Sequence, residues 1–150
     1  SWTEVGDLNT HRSAPEAAGI ITAALCFGGS NPADDSQYAV VELWNGTSWT
    51  EVGDLNTARV APGGLGTSTA ALAFGGYDPS PAYHAVVEKW NGTSWTEIAD
   101  LSAGRFGSGG AGTTSAGLAA GGKSSTAAIV ATEEFTGDAS STSTFDASDV

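Results

Sequence analysis

A ten-residue string, SWTEVGDLNT, fills positions 1–10 and returns letter for letter at 48–57, with SWTEIADL following at 94–101. The spacings of 47 and 46 recur in Gly28-Gly29, Gly75-Gly76 and Gly121-Gly122, and again in Arg12, Arg59 and Arg105. A period of this size marks a repeat architecture in which each copy is one supersecondary unit. Three copies, 1–47, 48–93 and 94–137, make up most of the chain. The Ser/Thr/Asp-rich tail at 138–150 reads as a loose extension, in which Thr144-Phe145 has the character to pair along a sheet edge.

Within a copy no stretch of eleven or more residues carries apolar side chains at helical spacing, while Val, Thr and Gly abound, so the pattern predicts strands. In the second copy four strands are predicted: A at 60–67, B at 69–74, C at 84–90 and D at 94–98. Asn45-Gly46 and Asn91-Gly92 fall between C and D, which predicts an antiparallel hairpin with a type I′ turn. Strand A is rich in the smallest residues (Ala17, Ala18, Gly19; Gly63, Gly64, Gly66; Gly109, Gly110, Gly112), as suits strands crowded about an axis. Such a unit cannot cover both of its faces alone and must stack on copies of itself.

The Gly pair closing strand B, followed by Val41-Glu42-Leu43-Trp44 and Trp49, and by Val87-Glu88-Lys89-Trp90 and Trp95, resembles the kelch repeat of β-propellers. That resemblance covers about residues 1–137, with Trp44, Trp90 or Phe135 standing where the family usually has Tyr. It implies an all-β fold of three four-stranded blades per chain. A WD40 reading fits worse because no Trp-Asp dipeptide occurs.

Kelch-type propellers usually have six or seven blades, so three make about half a ring. The sequence opens with a D-type segment (Trp2, Thr3, Glu4, Val5) and lacks a Trp where the third copy should have its own D strand. The expectation is a two-fold homodimer closing a six-bladed ring, with the Trp2 segment of one chain pairing with the third C strand of the other, around Ile129, Val130 and Phe135. The competing expectation is a fragment of a longer propeller.

Charge and composition narrow the function. Five Lys and Arg against seventeen Asp and Glu give a net charge of −12, which argues against a nucleic-acid partner because a phosphate backbone needs a cationic face. The longest apolar runs are five residues, far short of the roughly 18 of a membrane-spanning helix, so no membrane insertion is expected. Cys26 stands where later copies have Ala73 and Ala120 and reads as an inert, small core residue. Gly107, Gly109 and Gly112 spell GxGxxG, yet no strand-then-helix pattern accompanies them, so they read as part of a repeat strand. Two histidines and one cysteine assemble no zinc ligand set, and no Gly-x-Ser-x-Gly elbow occurs. The copper-oxidase chemistry of some kelch-fold enzymes does not carry over, because Cys26 lies within strand B. Asp34-Asp35 and Glu133-Glu134 are read as solvated pairs, and Asn45-Gly46-Thr47 and Asn91-Gly92-Thr93 as hairpin turns before glycosylation sequons. No enzyme, no cofactor and no metal are expected.

Arg12, Arg59 and Arg105 share one repeat position at the start of strand A. A ring of them could bind carboxylate or phosphate ligands through forked hydrogen bonds; alternatively each pairs with Glu42, Glu88 or Glu133. The B–C loops vary between copies and carry Asn31, Asp34, Asp35, Tyr38, Tyr77, Asp78, Tyr83, His84 and Lys123. Variable loops on a fixed scaffold are where recognition usually resides. The ligand-binding candidates are therefore the three arginines with Asp34, Tyr38, Asp78, Tyr83 and His84. Five Trp raise a lectin alternative, against packing in the outer strands. The resulting expectation is a non-enzymatic scaffold or protein-binding module that pairs with itself, with a glycan-binding propeller as the alternative. The close identity of the copies suits a secreted, cell-surface or virion-surface protein.

Overall fold

A computed structural model describes residues 1–79, 82–137 and 144–145. The first sheet runs β1 (Glu16–Ile20), β2 (Ala23–Phe27), β3 (Val41–Trp44) and β4 (Trp49–Glu51), hydrogen-bonded in that order. The second runs β5 (Gly63–Thr67), β6 (Ala70–Phe74), β7 (Val87–Trp90) and β8 (Trp95–Glu97), and the third β9 (Gly109–Thr113), β10 (Ala116–Ala120), β11 (Thr132–Phe135) and β12 (Thr144–Phe145). Every pairing is antiparallel. Among the described residues there is no helix, and so none long and apolar enough to cross a membrane. The all-β class and the three four-stranded blades are as the repeat implies.

Strand A starts later than its pattern predicts. Ala14 and Ala61 adopt φ of +47° directly before Pro15 and Pro62, and proline offers no N–H to a ladder. The kink limits Val60 to an isolated bridge with Tyr77, and β5 begins at Gly63. The C–D hairpin forms, but not through a type I′ turn. Trp44 pairs with Trp49 and Trp90 with Trp95, leaving four-residue loops. Only Gly46 and Gly92 have positive φ there, not Asn45 or Asn91. The asparagines act through their side chains: Asn45 Oδ1 accepts from the Thr47 and Ser48 amides at 2.9 and 3.0 Å, and Asn91 Oδ1 does the same for Thr93 and Ser94 at 2.9 Å each.

The innermost strands β1, β5 and β9 lie side by side, and the small residues of strand A permit it. A methyl group on Gly64 would stand 2.6 Å from Phe27 Cζ and 2.7 Å from Glu16 Cγ. Between blades the core is apolar. Leu25, Phe27, Val41 and Leu55 of the first blade and its outgoing linker pack on Ala71, Ala73, Trp90 and Trp95 of the second, with Phe27 and Trp95 edge to face at 5.4 Å. Leu72, Phe74, Val87 and Leu101 face Ala119 and Phe135 of the third blade in the equivalent layer.

In the single chain neither outer edge has a second copy beside it. Residues 2–5 form no strand, and Trp2 is fully exposed. On the third blade the edge of β11 is taken by the chain's own β12, with Glu133 opposite Thr144 and Thr132 opposite Phe145. Of the residues assigned to a partner there, only Phe135 lies in β11; Ile129 and Val130 precede it, Ile129 donating its amide to the Gly122 carbonyl at 2.8 Å and Val130 exposed.

Candidate functional site

The residues that mark each repeat meet in one buried network. The linker leaving β4 crosses to the second blade, where Asn56 donates its amide and side-chain N–H to Glu88 at 2.7 and 2.8 Å and Thr57 adds its amide at 3.2 Å. Arg59 completes it: Nη2 pairs with Glu88, Nη1 donates to the Gly75 and Val86 carbonyls at 3.1 and 2.9 Å, and Nε donates to Thr57 at 3.1 Å. Arg12 with Glu42 (2.5 Å) and Arg105 with Glu133 repeat the arrangement, Ser102 standing in for the asparagine in the third blade. Burial pushes the Glu42 carboxyl up, but the Asn9 and Thr10 amides and Arg12 outweigh it and hold the carboxyl below its ordinary value.

This geometry corrects the arginine ring. Arg59 and Arg105 are 0 and 1 % exposed and Arg12 is 9 %, so no guanidinium is presented to a ligand. Of the two uses open to these arginines, the pairing with repeat carboxylates is the one adopted. Asn9 and Asn56 are members the sequence reading missed, although their place in the repeated decapeptide was a usable signal.

The other candidate residues lie on the loop face. At each blade the chain entering strand A bridges the residue leaving strand B, which bridges the B–C loop: Ser13–Ser30–Gln37, Val60–Tyr77–Tyr83 and Phe106–Lys123–Ala128. The three layers share one backbone plan and differ in side chains. Phe106 from the third blade meets Tyr77 at 4.9 Å and Tyr83 at 5.7 Å from the second, forming a half-buried aromatic patch across the junction. Beside Tyr83, His84 Nε2 lies 3.7 Å from Asp78 Oδ2 and, although enclosed, makes no hydrogen bond. Asp34 stays within its own loop, accepting from Ser36 Oγ at 2.7 Å, and Tyr38 is half-buried with its amide on Gly29. The structure thus gathers Tyr83, His84 and Asp78, joins Phe106 to them, and leaves Asp34 and Tyr38 on the first blade.

Burial, seconded by the Arg59 charge and opposed by Asp78, lowers the His84 pKa from its ordinary 6.5. The unfolded chain therefore takes up a proton on acidification before the folded chain does. Stability from this group is complete above about pH 7 and declines as pH falls through 6.5 toward the folded value. The melting temperature should drop between pH 7.5 and 5.5, and His84→Gln should reduce that drop; an unchanged difference would remove His84 as its source. Cys26 is buried in β2, and burial pushes its thiol up to about 11, which leaves it protonated at neutral pH. Gly109 and Gly112 lie in β9, with no helix following among the described residues. Among the described residues no three His, Cys, Asp or Glu side chains gather as a metal site.

A cleft of about 230 Å³ opens between blades two and three, lined by Phe74, Val87, Ile98, Leu101, Ala119 and Phe135 among others. No family model matches the sequence, and no curated protein matches it. Among solved structures, the one titled "Structure of YjhT" superposes on 90 % of this chain with a TM-score of 0.71 at 12 % identity. The fold is that of a β-propeller. The propeller chain spans 46 % of that protein's length, and at this identity the likeness speaks for the fold alone.

Proposed function

We propose that this half-propeller is a non-enzymatic scaffold or protein-binding module of kelch type that completes its ring by pairing with a second copy. The observation carrying the reading is the contrast between equivalent strands. In β5, flanked by blades on both sides, Gly63, Gly64 and Leu65 are buried, whereas all five residues of β9 are exposed. Leu118, the counterpart of the buried Leu72, is 40 % exposed on the same open blade. Covering about 800 Å² of apolar surface at each end would contribute on the order of 20 kcal/mol gross, against about 4–15 kcal/mol lost in association. In the closed ring the loop face, with its Tyr77, Tyr83 and Phe106 patch, offers aromatic area to a protein or glycan ligand. Sedimentation equilibrium should return twice the chain mass of 15.0 kDa; a single-chain mass at tens of micromolar would overturn the self-pairing.

A further inference from the structure

The two blade junctions are built from the same repeat positions, and one large side chain of the first is missing altogether from the second. Ala18, Leu25, Phe27, Val41, Leu55, Ala73 and Trp90 of the first core correspond to Leu65, Leu72, Phe74, Val87, Leu101, Ala119 and Phe135 of the second. Trp95, which packs edge to face on Phe27 and is 5 % exposed, has no counterpart. The third copy reads Asp138-Ala139-Ser140 where that Trp would fall. The cleft lies among these residues, beside Phe74 and Phe135.

Residues 1–10 carry the missing group. They are identical to 48–57, the segment that supplies the first blade with strand β4, Trp49 and then the linker to the second blade. From Gly6 onward residues 1–10 are already seated as that linker is. Asn9 and Thr10 donate to Glu42 as Asn56 and Thr57 donate to Glu88, and Gly6 lies against Thr47 and Trp44 as Gly53 lies against Thr93 and Trp90. Trp2 is left fully exposed ahead of this anchored stretch.

Resting on the self-pairing proposed above, we infer that the cleft between blades two and three receives the Trp2 strand of a second copy, its indole stacking on Phe74 as Trp95 stacks on Phe27. The strand takes the edge of β11 in the register of β8 on β7. β12 holds that edge in the single chain, since Glu133 faces Thr144 as Glu88 faces Glu97. Among the described residues it does so over two residue pairs, where β4 and β8 have three. The incoming strand therefore displaces β12, and the chain's own tail is the competitor that sets the threshold for assembly.

The test uses full-length Trp2→Ala chain, measured by sedimentation and by anisotropy of a labelled peptide of residues 1–10. Trp2→Ala should weaken self-association at least tenfold, and because Trp2 is exposed the variant should keep the single-chain fold. The peptide should bind that variant saturably, while the same peptide with Trp2→Ala should bind at least tenfold more weakly. Ala119→Phe, which fills the cleft, should abolish peptide binding. A Trp2→Ala chain that dimerises like the parent overturns this inference and leaves self-pairing standing. A parent chain that stays single yet binds the peptide overturns the self-pairing while keeping the cleft as a strand receptor. No association and no peptide binding overturns both.

Discussion

Arg59→Met lowers the stability of the folded chain by about 3–5 kcal/mol, because it removes one partner of a buried ion pair and leaves the other charge unmatched. A domain of this size has a total of about 5–15 kcal/mol, so the variant should show a large fall in its urea midpoint when unfolding is followed by Trp fluorescence. The size of the effect follows from how many groups converge. Arg59 and Glu88 are both fully buried, and Glu88 also accepts from Asn56 and Thr57, which bring the linker from the first blade. Loss of the guanidinium also strips a donor from the Gly75 and Val86 carbonyls. Adding Glu88→Leu removes the stranded charge but orphans the Asn56 and Thr57 amides, at about 1–3 kcal/mol each where they stay dry. The double variant should therefore recover only part of the loss. A cost below about 1 kcal/mol for Arg59→Met would show that the network is not what ties the blades together.

The same network shows how far the repeat could be read without coordinates. Period, Gly pairs and outer-strand Trp were enough for three four-stranded units, because each reports local geometry: two positive-φ residues that end strand B, an aromatic that pairs across the hairpin. The arginines were harder. A periodic cation at the start of strand A suits an axial ring and a strut equally well. What decides between them is whether Glu42, Glu88 and Glu133 point at the same place, which depends on strand register and not on spacing along the chain.

The edges were half legible: the tail showed Thr144-Phe145 as a segment able to pair along a sheet edge, and β12 does so. Whether the Trp2 segment or the Thr144-Phe145 segment lies on β11 is a competition between two strands for one row of backbone groups, and pattern alone does not rank them. The aromatic patch was half legible: Tyr77 and Tyr83 stood out in a variable loop, while Phe106 was hidden at the start of strand A, where the first two blades have Ser13 and Val60. Asn-Gly marked the hairpins correctly but for another turn, since the carboxamide oxygens cap the loops instead of the asparagines adopting positive φ.

Neighbouring glycines in β9 should respond with opposite sign to the same substitution. Gly109 and Gly110 both have ordinary strand φ, so alanine costs neither of them backbone strain. At such a position Gly→Ala normally stabilises by about 0.4–1 kcal/mol through loss of unfolded-state freedom. Gly109 should follow that rule, since its added methyl meets nothing nearer than the Ala120 carbonyl oxygen at 3.9 Å. Gly110 should not, because its methyl would overlap the Gly64 carbonyl of the second blade and stand 2.9 Å from Phe74 Cζ. Backbone cannot rotate aside as a side chain can, so the two innermost strands must separate. Overpacking of this kind costs about 1–3 kcal/mol, which places Gly109→Ala and Gly110→Ala on either side of the parent in a urea titration. Among the described residues the close approach of β5 and β9 is what distinguishes them, so equal midpoints for the two variants would mean that the blades do not meet there as tightly as their glycines allow.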